Sequence, residues 1–513
     1  MDCVDKPGNE KALLRQCDII SEDEIRKYLL GVERSRILLS ELADYCKDHK
    51  RKILALTGLR RTGKTILMMQ QALALIDAGK NVRFLQISDV DTQQSLFLGV
   101  DSAVSRGAQY IFIDEVTYVD GFAKWADWIY NHTVLKGIFC ILSGTDSFSL
   151  VIAAGRPLFD RIEFIETTHI SYRDYKYVVN GALTQYIHNG GVFGGSNMVE
   201  YINTSVVDNI VNSINRYSDY GYRVLDELTD DELRTVIIKT VSNISIRFII
   251  RNILRNYRYP ELGSAKDLLT RKFSSFIIEN EDVIKNRVYA SLRLREDLSR
   301  FTDKELDKFM KYLRDIFESI DVVIKYDNVS ISAEEKQYLT SHEYILTQPV
   351  LRFEQTSVYL RVLGEMGNSY QLLIQTILQD MEGNLLEAIV MGETVRTLNW
   401  KSDDINRAYD VFKFGYLSAE IDLAVFDCKA KALHLFEVKR TSGISSEQLK
   451  YLNDADTLNA VKAVTINRNP TAFKVLEVRK YILYSGLTEV GLVKGVKYIN
   501  VEEYLLGFWA REG

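Results

Sequence analysis

Cysteine is scarce and scattered in this chain. Its five residues, Cys3, Cys17, Cys46, Cys140 and Cys428, form no C-x-x-C pair, so neither a disulfide framework nor a zinc ribbon is expected. The six histidines include no H-x-x-x-H pair, and histidines without partners read as surface or core residues rather than metal ligands. No run of about 18 apolar residues is present, which argues against a membrane span. Met1-Asp2-Cys3-Val4-Asp5 lacks the basic and apolar regions of a signal peptide, so a reduced, cytoplasmic setting is expected. Low-complexity tracts and obvious internal repeats are missing too. A net charge of −6 carries no global basic footprint for nucleic acid, so any contact of that kind must be local. With 46% apolar and 26% charged residues, wholesale disorder is excluded. At 513 residues the chain is too long for one core, and roughly three or four domains are expected.

What is present begins with Gly58-Leu59-Arg60-Arg61-Thr62-Gly63-Lys64-Thr65, which closes the apolar run Ile53-Leu54-Ala55-Leu56. The segment fits G-x-x-x-x-G-K-[ST], the loop that wraps nucleotide phosphates. Gly58 lets the backbone leave a strand tightly, and Gly63 lets successive N–H groups approach phosphate oxygens. Those groups meet the anion at the positive end of the following helix. Lys64 is suited to the β- and γ-phosphates, and the Thr65 hydroxyl to Mg²⁺. A helix-like run, Ile66 to Leu75, follows as the motif requires.

From about 51 to 170 the pattern alternates strand and helix. Strands are expected at Ile53–Thr57, Val82–Ile87, Tyr110–Asp114, Ile138–Ser143 and Ile162–Ile165. Such alternation builds a mainly parallel sheet covered on both faces, with ligands bound at the carboxyl ends of its strands. The third strand ends in Ile111-Phe112-Ile113-Asp114-Glu115. An aspartate there can hold Mg²⁺, and Glu115 is placed to polarise a water attacking the γ-phosphate. The fourth ends in Leu142-Ser143-Gly144-Thr145-Asp146, where a hydroxyl can serve the water or the γ-phosphate, or simply make a turn. Arg156 and Arg161, before and within the fifth strand, are candidates for an arginine finger.

Residues 1–50 read as a helical, charged extension, with apolar residues at helical spacing from Ile25 to Leu42. Residues 171–350 read as predominantly helical, broken at Gly190-Gly191. Arg247, Arg251 and Arg255, with Arg258 nearby, form a stripe on a helix. It either grips phosphates or is a solvated face. Thr302-Asp303-Lys304-Glu305 reads as a capping box opening a helix that buries Leu306, Phe309, Met310, Leu313 and Phe317. With the strand Val322–Tyr326 after it, this unit looks like a winged helix.

Strand patterning returns over 351–513. Ala419-Glu420-Ile421-Asp422-Leu423-Ala424-Val425 is followed by Ala432-Leu433-His434-Leu435-Phe436-Glu437-Val438-Lys439. Glu437 and Lys439 share one face of a strand. With Asp422 on a neighbouring strand, two carboxylates and a lysine converge. Asp422 and Glu437 would hold Mg²⁺, and Lys439 would position a nucleophile or offset charge on a scissile phosphate. The segment holds 19 Lys and Arg against 21 Asp and Glu, a near-neutral balance that favours weak nucleic-acid binding.

The C-terminal constellation resembles the PD-(D/E)XK nucleases. That likeness places Glu387 where many of them carry an acid on the first core helix, and Gln448 and Tyr451 near a Q-x-x-x-Y-like element. The whole chain resembles prokaryotic AAA-type ATPases that carry a C-terminal domain of unknown function with a restriction-endonuclease-like core. The resemblance is strongest at Gly58–Thr65, Ile111–Glu115 and Glu420–Lys439. It implies ATP and Mg²⁺ as ligands, Arg161 as the first finger candidate and Ser143 as the sensor hydroxyl. The fold class expected is α/β. Residues 1–50 form a helical extension and 51–170 a P-loop ATPase domain. Residues 171–350 form a helical lid with a winged-helix-like region, and 351–513 a nuclease-like α/β domain. Two functions follow as expectations: ATP hydrolysis coupled to a domain acting on DNA or RNA, or a nucleotide-dependent switch whose C-terminal domain recognises a protein partner and cuts nothing.

Overall fold

The computed structural model of the chain describes residues 17–32, 34–48, 51–58, 60–155, 157–167, 170–191, 193, 208, 211–212, 229–234, 272, 275–276, 279–291, 320–330, 336–346, 360–366, 371–398, 407–416, 419–445, 449–469, 474–487 and 492–512. They fall into two units, Met1–Thr167 and Thr168–Gly513.

The first unit runs β1 (Asp18–Ile20), α1 (Glu22–Tyr28), α2 (Leu39–Lys47), β2 (Ile53–Thr57), α3 (Lys64–Asp77), β3 (Val82–Gln86), α4 (Gln93–Ser105), β4 (Tyr110–Asp114), α5 (Phe122–His132), β5 (Phe139–Ser143), α6 (Ser147–Gly155) and β6 (Ile162–Glu166). Its sheet order is β1-β3-β4-β5-β2-β6. Five strands are parallel, and every residue of β2 and β4 is buried. Burial on both faces explains why these strands read as continuous apolar runs rather than alternating ones. The sheet is mixed rather than wholly parallel, because β1 adds antiparallel to β3.

The apolar residues at helical spacing over Ile25–Leu42 are shared between two helices. Gly31 takes a left-handed φ of 82°, a conformation that ends a helix, and α1 and α2 are separate. Both still pack inward: Ile25, Leu42, Tyr45 and Cys46 join Leu54, Leu67, Met68, Phe84 and Phe112 in one core. Ser21 caps α1 in a box with Glu24, and Thr92 caps α4 with Ser95, satisfying N–H groups that a helix start leaves orphaned.

The second unit comprises α7 (Tyr172–Val179), α8 (Leu183–Asn189), α9 (Glu281–Ser291), β7 (Ile320–Ser330), β8 (Lys336–Leu346), α10 (Gln371–Thr397), β9 (Tyr409–Tyr416), β10 (Ala419–Asp427), β11 (Ala432–Val438), α11 (Ala455–Arg468), β12 (Glu477–Tyr484), β13 (Leu492–Val493), β14 (Val496–Asn500) and α12 (Val501–Glu512). Its eight strands are ordered β13-β14-β12-β11-β10-β9-β7-β8. β9, β10 and β11 form an antiparallel meander, and β12 and β14 continue it in parallel from β11. Val461 and Val464 of α11 pack on Phe412, Phe414, Leu433 and Leu435. An aromatic cluster of Phe436, Tyr481, Tyr504 and Phe508 holds α12.

The strand expected at Val322–Tyr326 is part of β7, which pairs antiparallel with β8 and parallel with β9. It therefore extends the same sheet as β9–β14. The helix expected from Thr302 to Phe317 lies outside the described residues, as do Arg247, Arg251, Arg255 and Arg258. α7 and α8 dock on α10 through Glu393, which accepts the Tyr172 N–H at 2.8 Å and the Tyr186 hydroxyl at 3.1 Å.

Candidate functional site

β2 ends at Thr57, and the chain turns at Gly58 (φ 133°) and Gly63 (φ 88°) before entering α3. Arg61 also takes a positive φ of 63°. Gly63 is the cap of α3, so the loop's N–H groups gather at the helix's positive end. Lys64 is buried, and its ammonium donates to the Gly58 carbonyl at 2.8 Å. Burial lowers its pKa, opposed by the charges of Glu115 and Asp114. Arg60 reaches away, donating to the Tyr118 hydroxyl at 2.5 Å with its guanidinium 5.9 Å from that ring. Thr62 is buried and its hydroxyl lies 2.8 Å from that of Thr167. Leu59 and Arg156 lie outside the described residues.

Asp114 ends β4 beside the loop. Its carboxylate accepts from the Thr65 hydroxyl at 2.8 Å and from the Ser143 hydroxyl. Burial raises its pKa to about 6, helped by the charge of Glu115 and opposed by the two hydroxyls. A buried carboxylate beside a threonine hydroxyl is a hard oxygen donor set of the kind Mg²⁺ takes. A divalent cation there would offset the desolvation that raises Asp114. The residues present therefore fit Mg²⁺.

Glu115 follows with φ 56° and ψ 39°, a left-handed conformation that costs a non-glycine residue free energy and recurs at functional sites. Its own N–H donates to the Ser143 hydroxyl at 2.9 Å. Both carboxylate oxygens accept the Thr145 hydroxyl, at 2.7 and 2.6 Å, and Oε2 also accepts the Thr145 N–H at 3.1 Å. The two hydroxyls at and just beyond the end of β5 thus divide the work: Ser143 serves Asp114, and Thr145 holds Glu115. The sequence reading singles out Ser143, as the sensor hydroxyl that the family resemblance implies, and gives Thr145 no role of its own. The signal available for Thr145 was strand alternation, which turns residues two apart to the same side and so sets it beside Ser143.

Arg161 is not brought to the loop. It precedes β6, at the amino end of the sheet, where its backbone carbonyl pairs with the Ile53 N–H. Its guanidinium stacks over Tyr130 at 5.1 Å. The five residues of β2 separate it from Gly58, a span of about 17 Å.

In the second unit, Glu387, Asp422, Glu437 and Lys439 do converge. β10 bulges between Ile421 and Ala424 opposite β9, and such a bulge re-aims the side chain it carries. Asp422 sits in it and accepts the Val438 N–H at 2.8 Å. Lys439 lies 3.0 Å from Glu437 and 3.8 Å from Asp422. Burial raises Glu387 and Glu437 to about 8 each, and the charge of Asp422 adds to both. Burial likewise raises Asp422, against the charges of Lys439 and Lys413. For Lys439 burial pulls the pKa down, but the charges of Asp422 and Glu437 outweigh it and the net shift is upward. Glu437 Oε2 is buried with no hydrogen-bond partner.

Lys413 is a member of this cluster that sequence reasoning missed. It is buried on β9, 3.8 Å from Glu387. A lysine between Phe412 and Phe414 in an apolar strand was the available signal. Among the described residues no three His, Cys, Asp or Glu side chains stand close enough to form a ready cation cage. Gln448 lies outside the described residues, and Tyr451 opens a 3₁₀ turn with Lys450 over its ring at 5.2 Å. No helix among the described residues is long and apolar enough to cross a membrane.

Residues 50–176 match a family model described as an AAA domain. No curated protein matches the chain. Among solved structures, a replication initiator DnaA bound to AMPPCP and single-stranded DNA is 13% identical, covering 70% of this chain and 97% of its own, with a TM-score of 0.25. AMPPCP-bound DnaA from Aquifex aeolicus is 12% identical, covering 67% and 92%, with a TM-score of 0.23. The RuvB Holliday junction branch migration motor of Thermotoga maritima is 14% identical, covering 58% and 78%, with a TM-score of 0.19.

Proposed function

Taking the AAA domain at residues 50–176 as the premise, we propose that the first unit binds ATP with Mg²⁺ and hydrolyses it. The observation that carries this is the meeting of Lys64, Thr65, Asp114 and Glu115 at the carboxyl ends of β2 and β4. Lys64 and the loop N–H groups bind the phosphates and offset charge gathering on the γ-phosphoryl oxygens. Thr65 and Asp114 would hold Mg²⁺, which would supply neutralisation of phosphate charge. Glu115, held by Thr145, accepts a proton from the attacking water, a role worth about 10²–10⁴ in rate. Ser143 keeps Asp114 and the Glu115 backbone in register. Arg161, stacked on Tyr130 on the far side of the sheet, cannot serve the nucleotide of its own chain, so a finger role for it requires a second copy.

The second unit is read as a nuclease-like domain acting on DNA or RNA, with Asp422 and Glu437 as cation ligands. The unpartnered Glu437 Oε2 supports this. Lys439 would neutralise charge on the scissile phosphate, and Glu387 would complete the acidic set. A second reading has an observation of its own. Lys439 already bridges Asp422 and Glu437, and a cluster neutralised by its own lysines suits a domain that binds a protein partner and cuts nothing.

Phosphate release from MgATP by the purified chain, beside Lys64→Ala and EDTA controls, tests the first unit; equal release in all three would sink ATP hydrolysis here. Mixed DNA and RNA with Mn²⁺ tests the second. Cleavage lost in Asp422→Ala and Lys439→Ala supports the nuclease, and no cleavage by the wild type favours the binding module.

A further inference from the structure

Arg36 lies between α1 and α2, far in sequence from the phosphate loop, yet it is buried against it. Its guanidinium donates to the carbonyl of Thr62 at 2.7 Å and to the carbonyl of Thr167 at 3.0 Å. The two threonines are also joined by their hydroxyls at 2.8 Å. The Thr167 hydroxyl donates to the Thr57 carbonyl at 2.7 Å, so its proton is committed and Thr62 must be the donor between them. The Thr167 N–H adds a bond to the same Thr57 carbonyl at 2.8 Å. Arg36, Thr62 and Thr167 thus close a clasp over the end of β2.

The clasp bears on nucleotide through one peptide plane. The Thr62 carbonyl and the Gly63 N–H belong to the same trans peptide and point in opposite directions. Gly63 has no Cβ and a φ of 88°, so that plane would turn over at little steric cost if nothing held it. Gripping the carbonyl from one side aims the N–H to the other. We infer that Arg36 is a positioning residue for the phosphate loop: by holding the Thr62 carbonyl it presents the Gly63 N–H to a nucleoside triphosphate and so sets nucleotide affinity. It touches no reacting atom. The inference rests on the ATP-binding reading above.

Fluorescent ATP binding and steady-state hydrolysis are measured on the full chain as wild type, Arg36→Ala, Arg36→Lys and Thr167→Val. Arg36→Ala is expected to bind ATP about tenfold or more weakly, the loss of a charge-assisted bond to a buried carbonyl. Its turnover at saturating ATP stays within about threefold, because Glu115 and Lys64 are untouched. Arg36→Lys keeps a cation and one donor and recovers part of the affinity. Thr167→Val keeps the shape, loses one member of the clasp and weakens binding in the same direction; it carries the test if Arg36→Ala does not fold. Combined, the two substitutions cost less than the sum of their separate effects, because they break one clasp. Wild-type affinity in folded Arg36→Ala overturns the inference. So does a KM that stays constant while kcat falls in both Arg36 variants. If the wild type itself binds no ATP, the function reading has failed and takes the clasp with it; if only the variants match the wild type, the clasp alone has failed.

Discussion

Glu115→Gln separates hydrolysis from nucleotide binding with little collateral change. Glutamine has the same shape, and its bonds to Thr145 survive in a different sense. The amide oxygen accepts the Thr145 N–H now held at 3.1 Å, while the amide NH₂ donates to the Thr145 hydroxyl that now donates at 2.7 Å. What disappears is a negative charge and a proton acceptor. The lost acceptor removes about 10²–10⁴ in rate, or about 3–5 kcal/mol of transition-state stabilisation. The lost charge acts on two neighbours. Glu115 raises Asp114, so its removal lets Asp114 ionise more readily, and affinity for MgATP should hold or improve. Lys64 loses one of the two acids that offset its burial but keeps Asp114. Phosphate release falls at least a hundredfold, while fluorescent nucleotide binding stays within about threefold of wild type. Turnover within tenfold of wild type, with binding intact, would refute Glu115 as the base.

Thr145→Val removes the hydroxyl but leaves the residue 145 N–H on Glu115. About tenfold to a hundredfold of kcat is expected to go with unchanged KM for ATP, and an unchanged kcat would release Thr145 from its positioning role. Cys17, Cys46 and Cys140 are buried, and desolvation pushes each thiol from 9.0 up to about 12. The folded form keeps these protons while unfolded thiols lose them, so stability falls as pH climbs from about 9 towards 12, by about 1.4 kcal/mol per unit per thiol. The urea midpoint should drop over that range, and iodoacetamide at pH 8.5 should label these three only in urea; labelling of folded Cys140 would contradict the burial. Asp410 is fully buried and takes two bonds of 2.6 Å from Arg468 and one of 3.0 Å from Asn469. Asp410→Ala strands a buried guanidinium and should cost about 3–5 kcal/mol, seen in urea unfolding. Asp160→Ala, at the exposed pair with Lys52, should leave the midpoint unchanged.

The sequence is most legible where local pattern and burial agree. Strands β2 to β6 lie within about a residue of the apolar runs that announce them, because a strand covered on both faces has no room for polar residues. The phosphate loop is legible for a related reason: its glycines are fixed by backbone geometry, which is local. β1 is not legible, being three residues of an edge strand with one exposed and two half-buried positions. The break between α1 and α2 interrupts an otherwise helical spacing, and Gly31 with its left-handed φ falls within it. Lys413 and Thr145 depend on which way a side chain faces across a bulge or at a strand end. Arg36 depends on contacts with residues 26 and 131 positions away, which no window along the chain contains.

The segment before β2 has a consequence for dissecting the protein. β1 covers the outer edge of β3, Ile25, Leu42, Tyr45 and Cys46 fill the core under α3, and Arg36 clasps the loop. A fragment trimmed to start at β2 would retain every residue to which a chemical role is proposed above. It would also bare a row of unpaired backbone groups along β3, inviting sheet-to-sheet aggregation. The portable unit is therefore larger than the recognisable motif, and a minimal ATPase cut from this chain must carry residues 17–47 with it.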